Sequence, residues 1–194
     1  MKNKVIIFLA MAVLLVALPA CRNSSDSGQA GNSSQTSSTV KDKADINNAL
    51  PEPLNSFVLD QASILKASEV DKINKKAAEL DSLKLAQVAV VIVDDLAGMD
   101  IHDYAVALGN KWGVGRKETN DGITIVIKPK GGDVHDQKGQ VAIATGTGME
   151  KIITDEMCTI IANEKMVPQF KDNDYAGGIN AALDEIKTIL TKKH

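Results

Sequence analysis

The 194-residue chain is long enough for one ordinary domain with attachments. Only 3% of it is aromatic and 44% is hydrophobic, so Val, Ile, Leu and Ala must supply most of the core. The formal charge is −3, and arginine occurs only at Arg22 and Arg116 with no basic patch interleaved by aromatics. That composition argues against nucleic acid as a partner.

Lys2 and Lys4 precede an apolar run over 5–18 that is short for a transmembrane helix. The run ends in Leu18-Pro19-Ala20-Cys21, which resembles the lipobox of bacterial lipoproteins. In that motif the cysteine becomes the first mature residue and carries the acyl groups (palmitate among them). Residues 1–20 are then a lipoprotein signal peptide and Cys21 the lipidation site. The implied localisation is a cell envelope, membrane-anchored and facing periplasm or exterior. Residues 21–54 read as a flexible Ser/Asn/Gly-rich tether, closed by Pro51-Glu52-Pro53. With Cys21 acylated, Cys158 has no disulfide partner. It reads as a buried small hydrophobe rather than a reactive thiol.

The folded domain is expected over 55–191. Phe57-Val58-Leu59-Asp60 is a short extended piece, followed by a helix from Ala67 or Ser68 to about Leu80, with Ser68 as N-cap and Asp71 beneath it. A nearly continuous apolar run over 85–93 predicts a central strand covered on both faces, ending at Asp94-Asp95. The spacing of Ile101, Tyr104, Ala105, Leu108 and Trp112 predicts a helix stopped by Gly113 and Gly115. Two apolar runs, 123–127 and 141–144, flank a charged, glycine-rich hairpin loop. A helix from about Met149 to Met166 broken at Pro168, and a last helix from Asp174 or Tyr175 to Leu190, complete the order. The sum is α/β: a three-layer α/β/α sandwich with a small mixed sheet flanked by helices.

In an antiparallel hairpin the turn before 123 and the turn after 144 lie at the same sheet edge. Asn120, Asp121 and Glu150 are therefore candidates to converge. Asp60, Asp94 and Asp95 also stand at strand ends, and Asp155 lies one turn into the following helix. Clustered carboxylates with amide and main-chain oxygens suit a hard cation such as calcium or magnesium. The same residues equally suit helix caps and turns. There is no EF-hand loop and no Gly-x-Ser-x-Gly elbow, and Gly146-Thr147-Gly148-Met149-Glu150 lacks the lysine of a phosphate-binding loop. Adjacent Asp94 and Asp95 would face opposite sides of a strand, unlike a phosphoaspartate pair. His102, His135 and His194 read as solvated surface.

Taken in order, these pieces resemble the TPM domain of thylakoid-lumen phosphatases in photosystem II repair and of many bacterial envelope proteins. The matching residues are Phe57-Val58-Leu59-Asp60-Gln61-Ala62 with Leu65, the strand through Val88 and Val93, and Tyr104-Ala105. They continue with Trp112-Gly113-Val114-Gly115-Arg116-Lys117, Asn120-Asp121-Gly122 and Gly146-Thr147-Gly148-Met149-Glu150. Pro168-Gln169-Phe170, Asp174-Tyr175 and Gly178-Ile179 close the series. Thr147 stands where a bulkier residue is commoner.

The resemblance implies an acidic cleft at one sheet edge that binds calcium or another divalent cation. Asp60, Asp121 and Glu150 are carried over, with Asn120 as neighbour and Asp94, Asp95 and Asp155 as weaker matches. Three readings follow: a membrane-tethered, cation-binding module for assembly or maintenance of envelope complexes; an acid phosphatase acting on phosphate monoesters; and a metal-free structural domain whose acidic turns are caps. The phosphatase reading lacks a positive clamp: only Lys111, Arg116 and Lys117 are expected near the cleft, in a turn that equally suits a structural role.

Overall fold

A computed structural model describes residues 47–131 and 138–193. The lipobox at Cys21, the apolar run before it, most of the tether, His135 and His194 lie outside the described residues. No helix among the described residues is long and apolar enough to cross a membrane.

The sheet is built around β3 (Gly122–Lys128), every residue of which is buried. On one side β3 pairs in parallel with β2 (Gln87–Ile92), which pairs in parallel with the short β1 (Val58–Asp60). On the other side β4 (Gln140–Thr145) returns antiparallel to β3, giving the order β1-β2-β3-β4. Strands covered on both faces need no polar alternation, which is why the 85–93 and 123–127 runs are continuously apolar.

Helix α1 (Ala67–Ser82) joins β1 to β2, and α2 (Ile101–Trp112) joins β2 to β3. Val88, Val90, Ile92, Ile123, Ile125 and Ile127 share one core with Ile73, Ala77 and Leu80 of α1. Val91, Val93, Val126, Ala142 and Ala144 face the other way, against Ile101, Tyr104, Ala105 and Leu108 of α2. The helices thus cover both sides of a three-layer α/β/α sandwich. The two crossovers step the same way across the sheet but on opposite faces. They are therefore of opposite hand, and one departs from the usual right-handed rule.

Helix α2 has the predicted bounds. Asp100 caps it by accepting from His102 N–H at 2.8 Å, and Gly113 ends it at φ 64°. Helix α1 is capped differently from expectation: Lys66, not Ser68, is the N-cap, and Glu69 Oε2 accepts from Lys66 N–H at 2.8 Å.

The helix expected from Met149 through Met166 begins later. Residues 146–153 form turns, and Thr154 caps α3 (Asp155–Ile160) by accepting from Met157 N–H. A π-helical segment (Ile161–Met166) and α4 (Val167–Lys171) continue the same rod. Pro168 does not break it. Val167 N–H donates to Ala162 O, five residues back, so the widened turns carry the chain into the proline. Helix α5 (Tyr175–Lys193) completes the first face with Ile179, Leu183, Ile186 and Leu190.

The packed region reaches further towards the N-terminus than the expected start at 55. Leu50 is 3% exposed and sits in the α2-side core. Trp112 Nε1 donates to Pro51 O at 2.8 Å, and Lys111 Nζ donates to Asn47 O and Leu50 O.

Candidate functional site

At the edge where β3 begins and β4 ends, two turns meet. Gly146 N–H donates to Gly122 O at 2.8 Å and Gly148 N–H to Asn120 O at 3.1 Å. The fit is tight: a Cβ on Gly148 would lie 1.7 Å from Thr119 O. Asn120 holds the bend at φ 48°, a conformation asparagine tolerates better than most residues. Asn120, Asp121 and the segment leading to Glu150 are therefore neighbours, as the hairpin argument requires.

The two acidic members differ in environment. The Asp121 side chain is 5% exposed and forms an ion pair with the Arg116 guanidinium; its Oδ1 accepts from Arg116 N–H at 2.7 Å. The guanidinium also pairs with Asp81 Oδ1 and donates to Asp81 O at 2.8 Å. Gln87 adds to this network, donating to Asp81 Oδ1 and accepting from Gly115 N–H at 3.1 Å. Asp121 is thus part of the clamp that bolts the Trp-Gly-Val-Gly-Arg turn under the sheet, with its charge matched and desolvated. Asp81 and Gln87 escaped the sequence reading. The scarcity of arginine was the available signal, because a lone arginine inside a fold needs carboxylate partners.

Glu150 is exposed on the wall of a cleft of about 620 Å³. Asn120, Thr145, Thr147, Asp155 and His102 line the same cleft. Its floor is the end of β4, and its sides come from α2 and the start of α3. Among the described residues lining it there is no lysine or arginine. Lys111 is held by Asn47 O, Leu50 O and Glu52, and Arg116 by Asp81 and Asp121. Of the three cations expected near the cleft, Lys111 and Arg116 are thereby committed elsewhere, and Lys117 is exposed. Burial pushes the Cys158 thiol, which lines a neighbouring cavity, up to about 11, and the nearby Asp155 charge adds to the shift.

Asp60, Asp94 and Asp95 stand at the other edge. Parallel strands end together, and Asp60 pairs with Ile92 while Val93 N–H donates to Ile127 O. Six steps along β3 separate the edges by about 20 Å, so a single ion cannot join the two groups. Asp60 Oδ2 accepts from Leu65 N–H at 2.8 Å, whereas its buried Oδ1 meets no partner among the described residues. Asp95 Oδ1 accepts from Ala97 N–H in a turn. The Tyr104 hydroxyl is raised to about 12, by burial first and the Asp95 charge second.

The donor chemistry of the cleft suits a hard cation: two carboxylates, an amide oxygen and threonine hydroxyls. No group of three or more His, Cys, Asp or Glu among the described residues is gathered tightly enough to hold a metal. Of the set expected from sequence, Asn120, Glu150 and Asp155 line one cleft, Asp121 lies behind it in an ion pair, and Asp60, Asp94 and Asp95 are remote.

Comparisons with known proteins agree with the fold. A family model described as the TPM domain matches residues 58–189. The solution structure of the N-terminal domain of a P. gingivalis protein aligns at TM-score 0.62 and 23% identity, covering 78% of this chain and 92% of that one. The N-terminal domain of a Corynebacterium glutamicum protein aligns at TM-score 0.53 and 16% identity, covering 72% and 83%. No curated protein matches the chain.

Proposed function

The chain belongs to the TPM-domain family, and on that footing we propose that it is a lipid-tethered binding module of the cell envelope whose cleft takes a divalent cation, calcium above others. One observation carries the reading: Glu150 and Asp155 share a cleft with Asn120 and three threonines, and no lysine or arginine among the described residues lines it. Two carboxylates with neutral oxygens make a weakly charged donor set, which water would complete. Sites of low ligand charge in extracellular modules bind calcium at about 10⁻⁴–10⁻³ M. Cys21 would supply the lipid anchor and the following residues the reach to envelope partners. Hydrolysis of phosphate monoesters ranks second, because Lys111 and Arg116 are engaged away from the cleft.

Thermal melts test the reading. At tenfold over its dissociation constant a bound ion stabilises the fold by about 1.4 kcal/mol, a Tm rise of about 3–6 °C at this size. Glu150→Gln with Asp155→Asn should abolish that rise, and Asp60→Asn should leave it intact. Unchanged melts with calcium, magnesium and manganese would remove the cation from the proposal. Turnover of a generic phosphate ester, lost in the same double variant, would promote the phosphatase reading.

A further inference from the structure

We propose that the open edge of β4 accepts an extended, lysine- or arginine-bearing segment of a partner protein as an added strand. β4 is the last strand of the sheet and pairs with β3 without a bulge from Gln140 to Thr145. Gly146 N–H donates to Gly122 O, and antiparallel bonding alternates by residue. Val141, Ile143 and Thr145 therefore turn their N–H and C=O groups away from β3. No hydrogen bond from the described residues reaches those outward groups. Unpaired edges are ordinarily blunted by charge, proline or a bulge, or covered by a helix or loop. The sequence Gln-Val-Ala-Ile-Ala-Thr has none of the first three. With Ala142, Ile143 and Ala144 only 8%, 5% and 7% exposed, the edge lies at the floor of a groove between helices.

A groove accompanies the edge. Helices α2 and α3 lie on opposite faces of the sheet, yet both wall a cavity of about 290 Å³ along β4, bounded by Asp100, His102, Val141, Ile143, Asp155 and Cys158. His102 and Asp155 also wall the larger cleft, so the two spaces adjoin and follow the strand. Asp100, Asp155 and Glu150 make the walls acidic, and no lysine or arginine among the described residues lines either space. In strand addition the backbone ladder supplies affinity and alternate side chains supply selectivity. Acidic walls select a cationic strand. They also oppose a second copy of this chain, whose own groove carries the same charge.

The inference does not rest on cation binding, although Glu150 and Asp155 serve both, and it is tested in chelator. The probe is the peptide acetyl-Lys-Val-Lys-Val-Lys-Val-Lys-amide, added to the full chain, with amide hydrogen exchange followed residue by residue. Exchange at Val141, Ile143 and Thr145 should slow by about tenfold or more, and the effect should fade at high salt. The same peptide N-methylated at alternate residues keeps its charge but cannot complete the ladder, and should protect nothing. Glu150→Gln with Asp155→Asn should weaken the plain peptide by about tenfold. Equal protection by the N-methylated peptide, equal binding of a Glu-Val counterpart, or no protection at all would overturn the proposal. Protection present before peptide is added would also overturn it, indicating a second copy at dimer mass or the chain's own N-terminal segment at monomer mass.

Discussion

Asp121 and Arg116, with side chains 5% and 17% exposed, are desolvated partners. Removing one member of a buried pair leaves the other uncompensated. Asp121→Ala is expected to destabilise the domain by about 3–5 kcal/mol, a fall in Tm on the order of 10 °C for a chain of this size. Exposed Asp94→Ala should stay within about 0.5 kcal/mol, and chemical denaturation of both variants checks the contrast. Loss of a calcium response in Asp121→Ala would consequently say nothing about ligation, which is why Glu150 and Asp155 are the residues to change. Two other side chains set an alkaline limit. The Cys158 thiol is raised from 9.0 to about 11 and the Tyr104 hydroxyl from 10.0 to about 12, both chiefly by burial. Each raised group contributes stability that is complete below its unfolded value and is lost as pH climbs through its folded value. Stability from these two groups should hold to about pH 9 and decline towards pH 12, as denaturation midpoints taken along that range will show.

Among elements, the junction of the two turns is the most constrained. Gly148 has Thr119 O where a Cβ would sit, and Gly146 has Asn120 O at 2.4 Å. Gly148→Ala should push the 146–150 turn off the 119–122 turn at a cost of about 1–3 kcal/mol. It should also disturb amide shifts of Asn120 and Glu150 together. Gly98 offers a comparison: its φ is +73° but nothing lies within 4 Å of an added Cβ. Gly98→Ala should cost only about 1 kcal/mol of backbone strain and leave the cleft shifts unmoved. The late start of α3 follows from the same junction. Gly146 and Gly148 are held by backbone bonds to β3 and its leading turn, so the chain leaves β4 through turns, and Thr154 caps the helix that follows.

Across the whole molecule the two cores are unequal. The β1–β3 face is covered by α1, the α3–α4 rod and α5, whereas the other face has α2 and the segment around Leu50. That segment adds one leucine, the Trp112–Pro51 bond and the Lys111 contacts to the cover of this face. Leu50→Ala should cost about 2–5 kcal/mol. A chain beginning at 55 should melt lower than one beginning at 47, measured by calorimetry on both. The second core's small residues, Ala144 on β4 among them, also leave room beside α2 for the cleft.

Much of this was legible from the chain because it depends on near neighbours. The α2 bounds follow from helical apolar spacing and Gly113, and the β2 and β3 runs follow from unbroken burial. The hairpin alone was enough to bring Asn120 near Glu150. What only the tertiary structure decided concerns pairs set by topology. Parallel pairing carries Asp60, Asp94 and Asp95 to the edge opposite the cleft, because strands running the same way share their ends. Arg116 meets Asp81, 35 positions away, only once α1 is laid against β2. Apolar periodicity records which face of an element is buried but not which element covers it, so the partners of Asp121 and the open edge of β4 had to wait for the fold.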